Sequence, residues 1–266
     1  MRPGSDRQVH VVLPNDIDDP AVPSGGNGYD RRVCRGLAAV GWVVHEHPAY
    51  GAWPVPTASE RDALGRVLDG LPDGALVLAD GLVASAARDV LVPRAARLRL
   101  VVLVHMPLGG AAEGEVLAAA RAVVATSDVT RRQLLDAYRL APDQVDTAQP
   151  GVEPAPLAAE SEPGGRLLCV AAVTPNKGHD LLVEALAKVA DAPWTCTCVG
   201  SLDRDPEFVA RLRRQVTTSG LGGRVLLAGA RTGAGLDAGY AAADLLVLAS
   251  HGETYGMVVT EALARG

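Results

Sequence analysis

The chain alternates between short apolar runs and longer stretches whose apolar residues fall three and four apart. Runs of strand length lie at residues 9–13, 42–45, 75–79, 100–105 and 122–126, and a short run rich in Val and Leu suits a strand buried on both faces. Between them, residues 29–40, 60–71, 113–120 and 129–140 carry the spacing of helices that lay one apolar stripe on a sheet. After residue 165 the same grammar restarts. Strands are predicted at 167–173, 195–199, 225–227 and 245–249, and helices at 178–190, 206–218, 235–242 and 257–264. Strand–helix–strand units joined by right-handed crossovers give parallel sheets covered on both faces, so the fold class is α/β.

The two series are separated by QPGVEPAPLAAESEPGG, Gln149–Gly165. It is dense in Pro, Gly, Ala and Glu and has no periodicity, which marks an exposed linker. The pattern therefore predicts a first Rossmann-like domain over residues 1–155, a linker at 156–165 and a second Rossmann-like domain over 166–266. Ligands of such folds bind at the carboxyl ends of the strands, so two facing sheets make the cleft between them the expected site.

Composition narrows the chemistry. With 48% hydrophobic but only 3% aromatic residues, the core must be built from Val, Leu and Ala. A net charge of −6 with one Phe and five Tyr supplies neither the basic stripe nor the stacking platforms of a nucleic-acid-binding protein. No run reaches the ~18 apolar residues of a spanning helix, and the first run, 9–13, is shorter than a signal-peptide core. The expectation is a soluble, cytoplasmic protein. Cys34, Cys169, Cys196 and Cys198 lack a metal-ligand spacing and read as small core residues; no metal site is expected. The arginines 88, 94, 97 and 99, interleaved with Leu91, Val92 and Leu98, read as a solvated basic face, with a peripheral membrane patch as the other reading.

Four segments carry candidate chemistry. In SHGETYGMVVTEALARG, Ser250–Gly266, Gly256 precedes a predicted helix. Backbone N–H groups at Gly256, Met257 and Val258 suit a phosphate there. Glu253 falls in the preceding loop and Glu261 about 7 Å up the helix axis, and both are acceptors for sugar or ribose hydroxyls. Read singly, Glu253 also serves as helix-start electrostatics and Glu261 as a solvated helix residue. In CVAAVTPNKGHDLLVEAL, Cys169–Leu186, Lys177 stands at a turn before a helix. Only Lys177 and Lys188 are lysines in a chain that otherwise uses arginine, so Lys177 suggests a point charge for a diphosphate, with an exposed turn lysine as the other reading.

In PSGGNGYDRRVCRGLAAVGW, Pro23–Trp42, Gly25 and Gly26 open a predicted loop before a helix. A dinucleotide fingerprint fails, because Arg31 stands where its third Gly belongs and the loop is too long for its tight turn. A plain flexible loop is the other reading. Finally, His105 closes the apolar run 100–104, at the carboxyl end of a predicted central strand.

Glu253 and Glu261 form Glu-x7-Glu, and with Ser250, Gly256 and Ala262 this segment resembles the signature of the retaining GT-B glycosyltransferases, the glycosyl transferases group one family that includes glycogen and sucrose synthases and bacterial mannosyltransferases. Lys177-Gly178 followed by Leu181, Leu182 and Ala185, the Gly25-Gly26 pair, His105, and more weakly Thr126-Ser127 and Gly151-Val152, resemble further landmarks of the family. The resemblance implies transfer of a sugar from a nucleoside diphosphate sugar to an acceptor hydroxyl, with retention and without a metal or other cofactor. It implies Glu253 facing the donor sugar, Glu261 on the ribose, Lys177 on the diphosphate, Gly25-Gly26 near the phosphate and acceptor, and His105 beside the sugar. It implies no base, sugar or acceptor by name.

Two departures follow. The family's arginine five residues before the lysine is Ala172 here, and Arg231, after the run 225–227, is the candidate replacement. The family also continues beyond the position of Gly266 with another strand and further helices, so the second domain reads as incomplete. Other readings are a nucleotide-sugar enzyme such as a non-hydrolysing epimerase and a catalytically silent sugar-nucleotide-binding module.

Overall fold

The computed structural model of the chain describes residues 7–21, 23–159, 161–162 and 164–266. The predicted linker, 156–165, includes residues 160 and 163, which lie outside them, as do residues 1–6 of the predicted first domain. The chain divides into two compact units: residues up to Asp18 with Gly25–Pro150, and Gly151–Gly266, with which Asp19–Ser24 group.

The first unit holds β1 (Gln8–Pro14), α1 (Gly25–Ala39), β2 (Val43–Ala49), α2 (Ala58–Asp69), β3 (Leu76–Asp80), α3 (Gly81–Ala86), α4 (Arg88–Arg94), β4 (Arg99–Val104), α5 (Ala111–Ala119), β5 (Ala122–Ala125), α6 (Asp128–Tyr138) and β6 (Val145–Thr147). Its strands form one parallel sheet in the order β2-β1-β3-β4-β5-β6. Alternation along β1 decides what each face meets. Val12 joins Val77, Val102 and Val123 beneath Leu68 of α2, Leu91 of α4, Leu117 of α5 and Leu134 of α6. Val9, Val11 and Leu13 point the other way, onto Tyr29 and Cys34 of α1. Thr57 caps α2 and Glu60 closes the capping box, satisfying two donors that the helix leaves open.

The second unit holds β7 (Arg166–Val170), a 3-10 turn (Pro175–Lys177), α7 (His179–Lys188), β8 (Thr195–Val199), α8 (Pro206–Thr218), β9 (Val225–Gly229), α9 (Ala234–Ala241), β10 (Leu245–Leu246) and α10 (Met257–Leu263). Its parallel sheet runs β10-β7-β8-β9. Cys169, Cys196 and Cys198 face Leu182, Val183 and Leu186 of α7 and Phe208 and Leu212 of α8. Leu168 and Val199 face Tyr240 of α9 and Ala262 of α10. Both sheets are thus doubly wound, as the period of the apolar residues dictates.

Several predicted bounds move. The helix expected from residue 29 begins at Gly25, so Gly25 and Gly26 lie in its first turn instead of a loop. The run 245–249 pairs only at Leu245 and Leu246. β6, α3 and α4 were not predicted; the last two fill residues 81–94 with six- and seven-residue helices, too short to show a periodicity. The basic segment around α4 is not a lipid face. Leu91 and Leu98 are buried in the core, while Arg88, Arg94 and Arg97 pair with Glu115, Asp69 and Asp73. Among the described residues no helix is long and apolar enough to cross a membrane.

Candidate functional site

In an open parallel sheet, neighbouring strands whose connections run to opposite sides leave a crevice at their carboxyl ends. In the second unit that point lies between β7 and β10. The loop leaving β7 carries Lys177 and the loop leaving β10 carries Glu253, and the topology brings them together: the Lys177 ammonium donates to Glu253 Oε1 at 2.6 Å. Their side chains are 26% and 32% exposed, so both remain open to a ligand.

The two loops also meet through backbone. His251 N–H donates to the carbonyl of Asn176 at 3.0 Å. Gly178, left-handed at φ 63°, lies so close to the second loop that a Cβ on it would sit 1.9 Å from the carbonyl oxygen of Ala249. Only glycine meets both demands. Ser250 Oγ is buried without a hydrogen-bond partner among the described residues.

Gly256, also left-handed at φ 79°, opens α10. With seven residues, α10 offers Met257 and Val258 as N-terminal backbone donors but little cumulative dipole. Glu261 lies on α10, where its Oε2 accepts from the Tyr240 hydroxyl at 2.7 Å. Arg265 covers the Tyr240 ring, 4.7 Å from its centroid, and burial followed by the Glu261 bond raises the phenol's pKa. Tyr240 was not singled out in the sequence. Its signal there, one tyrosine in an alanine-rich helix, carries no chemistry by itself. Ala172 adds no charge beside Lys177, and Arg231 lies exposed between β9 and α9, with no ion pair to the Lys177–Glu253 couple.

In the first unit the reversal lies between β1 and β3. α1 follows β1, Asp80 ends β3, and His105 follows β4, next to β3 in the sheet. His105 Nε2 lies 2.8 Å from Asp30 Oδ1 and 3.5 Å from Asp80 Oδ2. Both carboxyls are buried, and Asp30 Oδ2 has no hydrogen-bond partner among the described residues. Asp80 also caps α3 through Val83 N–H at 3.1 Å. The backbone of α1 rests on the imidazole, since a Cβ on Gly26 would lie 3.2 Å from His105 Cδ2, and Tyr29 meets the ring edge-on at 5.4 Å.

Burial opposes a charge on His105, but the Asp30 bond and the charges of Asp30 and Asp80 outweigh it and raise its pKa. Burial, then the charge of Asp30, pushes Asp80 up to about 7. Glu113, buried in α5, holds the segment after His105 by accepting from Leu108 N–H at 3.1 Å and Gly109 N–H at 2.8 Å. Asp30, Asp80 and Glu113 were missed as site residues. An acid in a turn or helix start looks solvated until the fold buries it.

Of the weaker landmarks, Ser127 caps α6 and Gly151-Val152 is exposed coil. The cysteines lie where small core residues belong. All four are free and buried, but the register of β7 and β8 sets Cys169 opposite Cys198, and His179 Nε2 lies 3.7 Å from Cys169 Sγ. Each of Cys169, Cys198 and His179 offers a ligand atom within 4.8 Å of the others, a metal-capable group that sequence spacing alone does not reveal.

Comparison with solved structures places the architecture. Sucrose-phosphate synthase from Thermosynechococcus elongatus superposes with a TM-score of 0.74 at 19% identity, covering 98% of this chain and 79% of that one. HepE from Anabaena, solved in complex with UDP and glucose, gives 0.69 at 18% identity, covering 97% and 78%. The fold is that of the GT-B glycosyltransferases. Residues 164–266, less than half of the chain, match the family described as Glycosyl transferases group 1. A D-inositol 3-phosphate glycosyltransferase of Kineococcus radiotolerans is 33% identical over 174 residues, 57% of this chain and 39% of the relative. One from Acidothermus cellulolyticus is 26% identical over 96% of this chain and 60% of the relative. The chain thus spans less than two thirds of the length of these curated relatives.

Proposed function

We propose that the protein transfers a sugar from a nucleoside diphosphate sugar to an acceptor hydroxyl with retention of anomeric configuration. The observation that carries this reading is the Lys177–Glu253 contact at the reversal point of a group 1 domain's sheet. A cation and a carboxylate held side by side suit the two halves of such a donor. Lys177 takes the diphosphate as a compact point charge, and Glu253, released from Lys177, accepts hydroxyls of the sugar.

As the glycosidic bond breaks, negative charge grows on the diphosphate. Lys177 and the N–H groups of Gly256, Met257 and Val258 stabilise it, which is electrostatic catalysis directed at the transition state. In this reading they also take the role that a metal plays elsewhere. Glu261, oriented by Tyr240, accepts from the ribose. His105 faces the donor sugar, and Gly25 and Gly26 let the start of α1 approach the phosphate and the acceptor closely. HepE's complex with UDP and glucose and the glycosyltransferase names of the relatives support a nucleotide-sugar donor. The free thiols suit a reducing, cytoplasmic setting.

The test is incubation with a panel of nucleoside diphosphate sugars. One donor should raise the melting temperature and be consumed with an acceptor such as an inositol phosphate or another polyol. Donor stabilisation without turnover by any acceptor would instead favour a silent binding module. Ala172, which places no second cation five residues before Lys177, is the observation on that side.

A further inference from the structure

The cluster at the carboxyl ends of β3 and β4 does more than place a histidine. We propose that Asp30 and Asp80 are positioning residues that clamp the Nε2 side of His105 and keep the ring an imidazolium, so that Nδ1–H is presented as a charged donor to an oxygen of the sugar donor. The role assigned to Nδ1 rests on the glycosyl-transfer reading; the state of the ring does not.

Geometry fixes the ring first. Nε2 is committed to Asp30 Oδ1 at 2.8 Å, with Asp80 Oδ2 next nearest at 3.5 Å. The backbone of α1 at Gly26 lies against the Cδ2 side, and the Tyr29 ring stands edge-on to the imidazole. A rotation that exchanged Nε2 and Nδ1 would break the bond to Asp30 and leave a buried carboxylate unmatched, a costly change. Nδ1 is the nitrogen left for a ligand.

Charge then fixes the protonation. The Asp30 and Asp80 side chains are 1% and 5% exposed, against 20% for His105. Two buried carboxylates within a few ångströms of each other cannot both stay ionised without a cation between them. The neutral arrangement is one carboxylate, one imidazolium and one protonated carboxyl. An oxygen of each carboxyl lies within 4.8 Å of the other, and the proton of this arrangement is the one that Asp80 retains to about pH 7. The titratable groups facing the ring are Asp30 and Tyr29 from α1 and Asp80 from the end of β3. A charge-assisted donor of this kind is about twice as strong as a neutral one.

The experiment is an NMR titration of His105 in the full chain, with the same titration in Asp30→Asn and kcat/KM against pH for both. In the parent, His105 should titrate above the ordinary 6.5, with both ring nitrogens protonated at neutral pH by their 15N shifts. In Asp30→Asn the titration should fall by about one pH unit or more. The alkaline limb of kcat/KM should fall with it, while nucleoside diphosphate affinity, set by the other half-site, stays as in the parent. A parent His105 neutral at pH 7, or an Asp30→Asn titration that does not move, overturns the proposal. The 15N measurement needs no variant, so a poorly folding Asp30→Asn leaves the proposal falsifiable. A protein that transfers no sugar still reports the state of His105, which separates failure of this proposal from failure of the glycosyl-transfer reading.

Discussion

The Lys177 ammonium and the Glu253 carboxylate, 76 residues apart in the chain, meet at 2.6 Å. Glu253 thus neutralises Lys177, and on the proposed reading a donor must displace Glu253 from it. Because the pair is partly exposed, it contributes only about 0.2–1 kcal/mol to stability. Lys177→Ala should therefore melt close to the parent but bind a nucleoside diphosphate about tenfold or more weakly by calorimetry. Glu253→Gln should act in the opposite direction on binding: affinity for the nucleoside diphosphate unchanged or tighter, with sugar transfer lost. Undiminished binding in Lys177→Ala would remove Lys177 from the site.

Gly178→Ala tests the contact between the same two loops. The new Cβ meets the Ala249 carbonyl oxygen at 1.9 Å, and the backbone is left-handed at φ 63°. Strain and overpacking each cost about 1–3 kcal/mol. A drop in denaturation midpoint together with weaker nucleoside diphosphate binding is expected, whereas Gly222→Ala, with nothing within 4 Å of its Cβ, serves as the quiet control.

Asp244 anchors the start of β7. It accepts from the N–H groups of Ser161, Gly165 and Arg166, from the Ser161 hydroxyl at 2.6 Å and from the Arg166 guanidinium at 3.0 Å. The Arg166 bond, then that of Ser161, holds its pKa well below the ordinary 3.8. A lowered acid pKa contributes stability that is present above 3.8 and lost as pH falls through the folded value. Asp244→Asn should lower the melting temperature at pH 7 and flatten its fall below about pH 4. An unchanged acid limb would show that the network adds no pH-dependent stability.

Three imidazoles make the opposite demand. His10 of β1 stacks between His45 and His47 of β2, with ring centroids 4.8 and 5.2 Å away, and its Nδ1 is 3.0 Å from His47 Nε2. Burial, then the neighbouring imidazoles, lowers the pKa of His10 and of His47. A histidine whose folded pKa is lowered favours the folded state above 6.5 and loses that stability as pH drops from 6.5 toward the folded value. Thermal melts from pH 7.5 to 5 should show a decline that His47→Gln reduces; an equal slope in both proteins would discount the cluster.

How much of this was legible follows from which signals are local. Apolar periodicity located nine of the ten strands among the described residues, and it gave α8 at Pro206–Thr218 without error, where Asp205 caps and Pro206 begins the helix. It missed β6, whose three residues are too few to show alternation. Lys177, Glu253, Glu261 and His105 could be named because residue type and motif mark them. Their partners could not be named. That Lys177 meets Glu253 depends on β7 and β10 being neighbours, and that Asp30 meets His105 depends on the fold bringing α1 beside the end of β4. Cys169 and Cys198 show the limit most simply, since only strand register sets them opposite one another.

The order β10-β7-β8-β9 also bears on how the second unit comes together during synthesis. Its first strand is interior, and one of its neighbours is its last. β7, β8 and β9 can pair as they emerge, but one edge of β7 stays open until Leu245 and Leu246 arrive. The turn at Lys177 cannot settle before Ala249 and Glu253 are in place. Contacts of such long range form slowly. The meeting of Lys177 and Glu253 is therefore the last part of this sheet's assembly, and a nascent chain halted before β10 carries Lys177 without the loop that partners it.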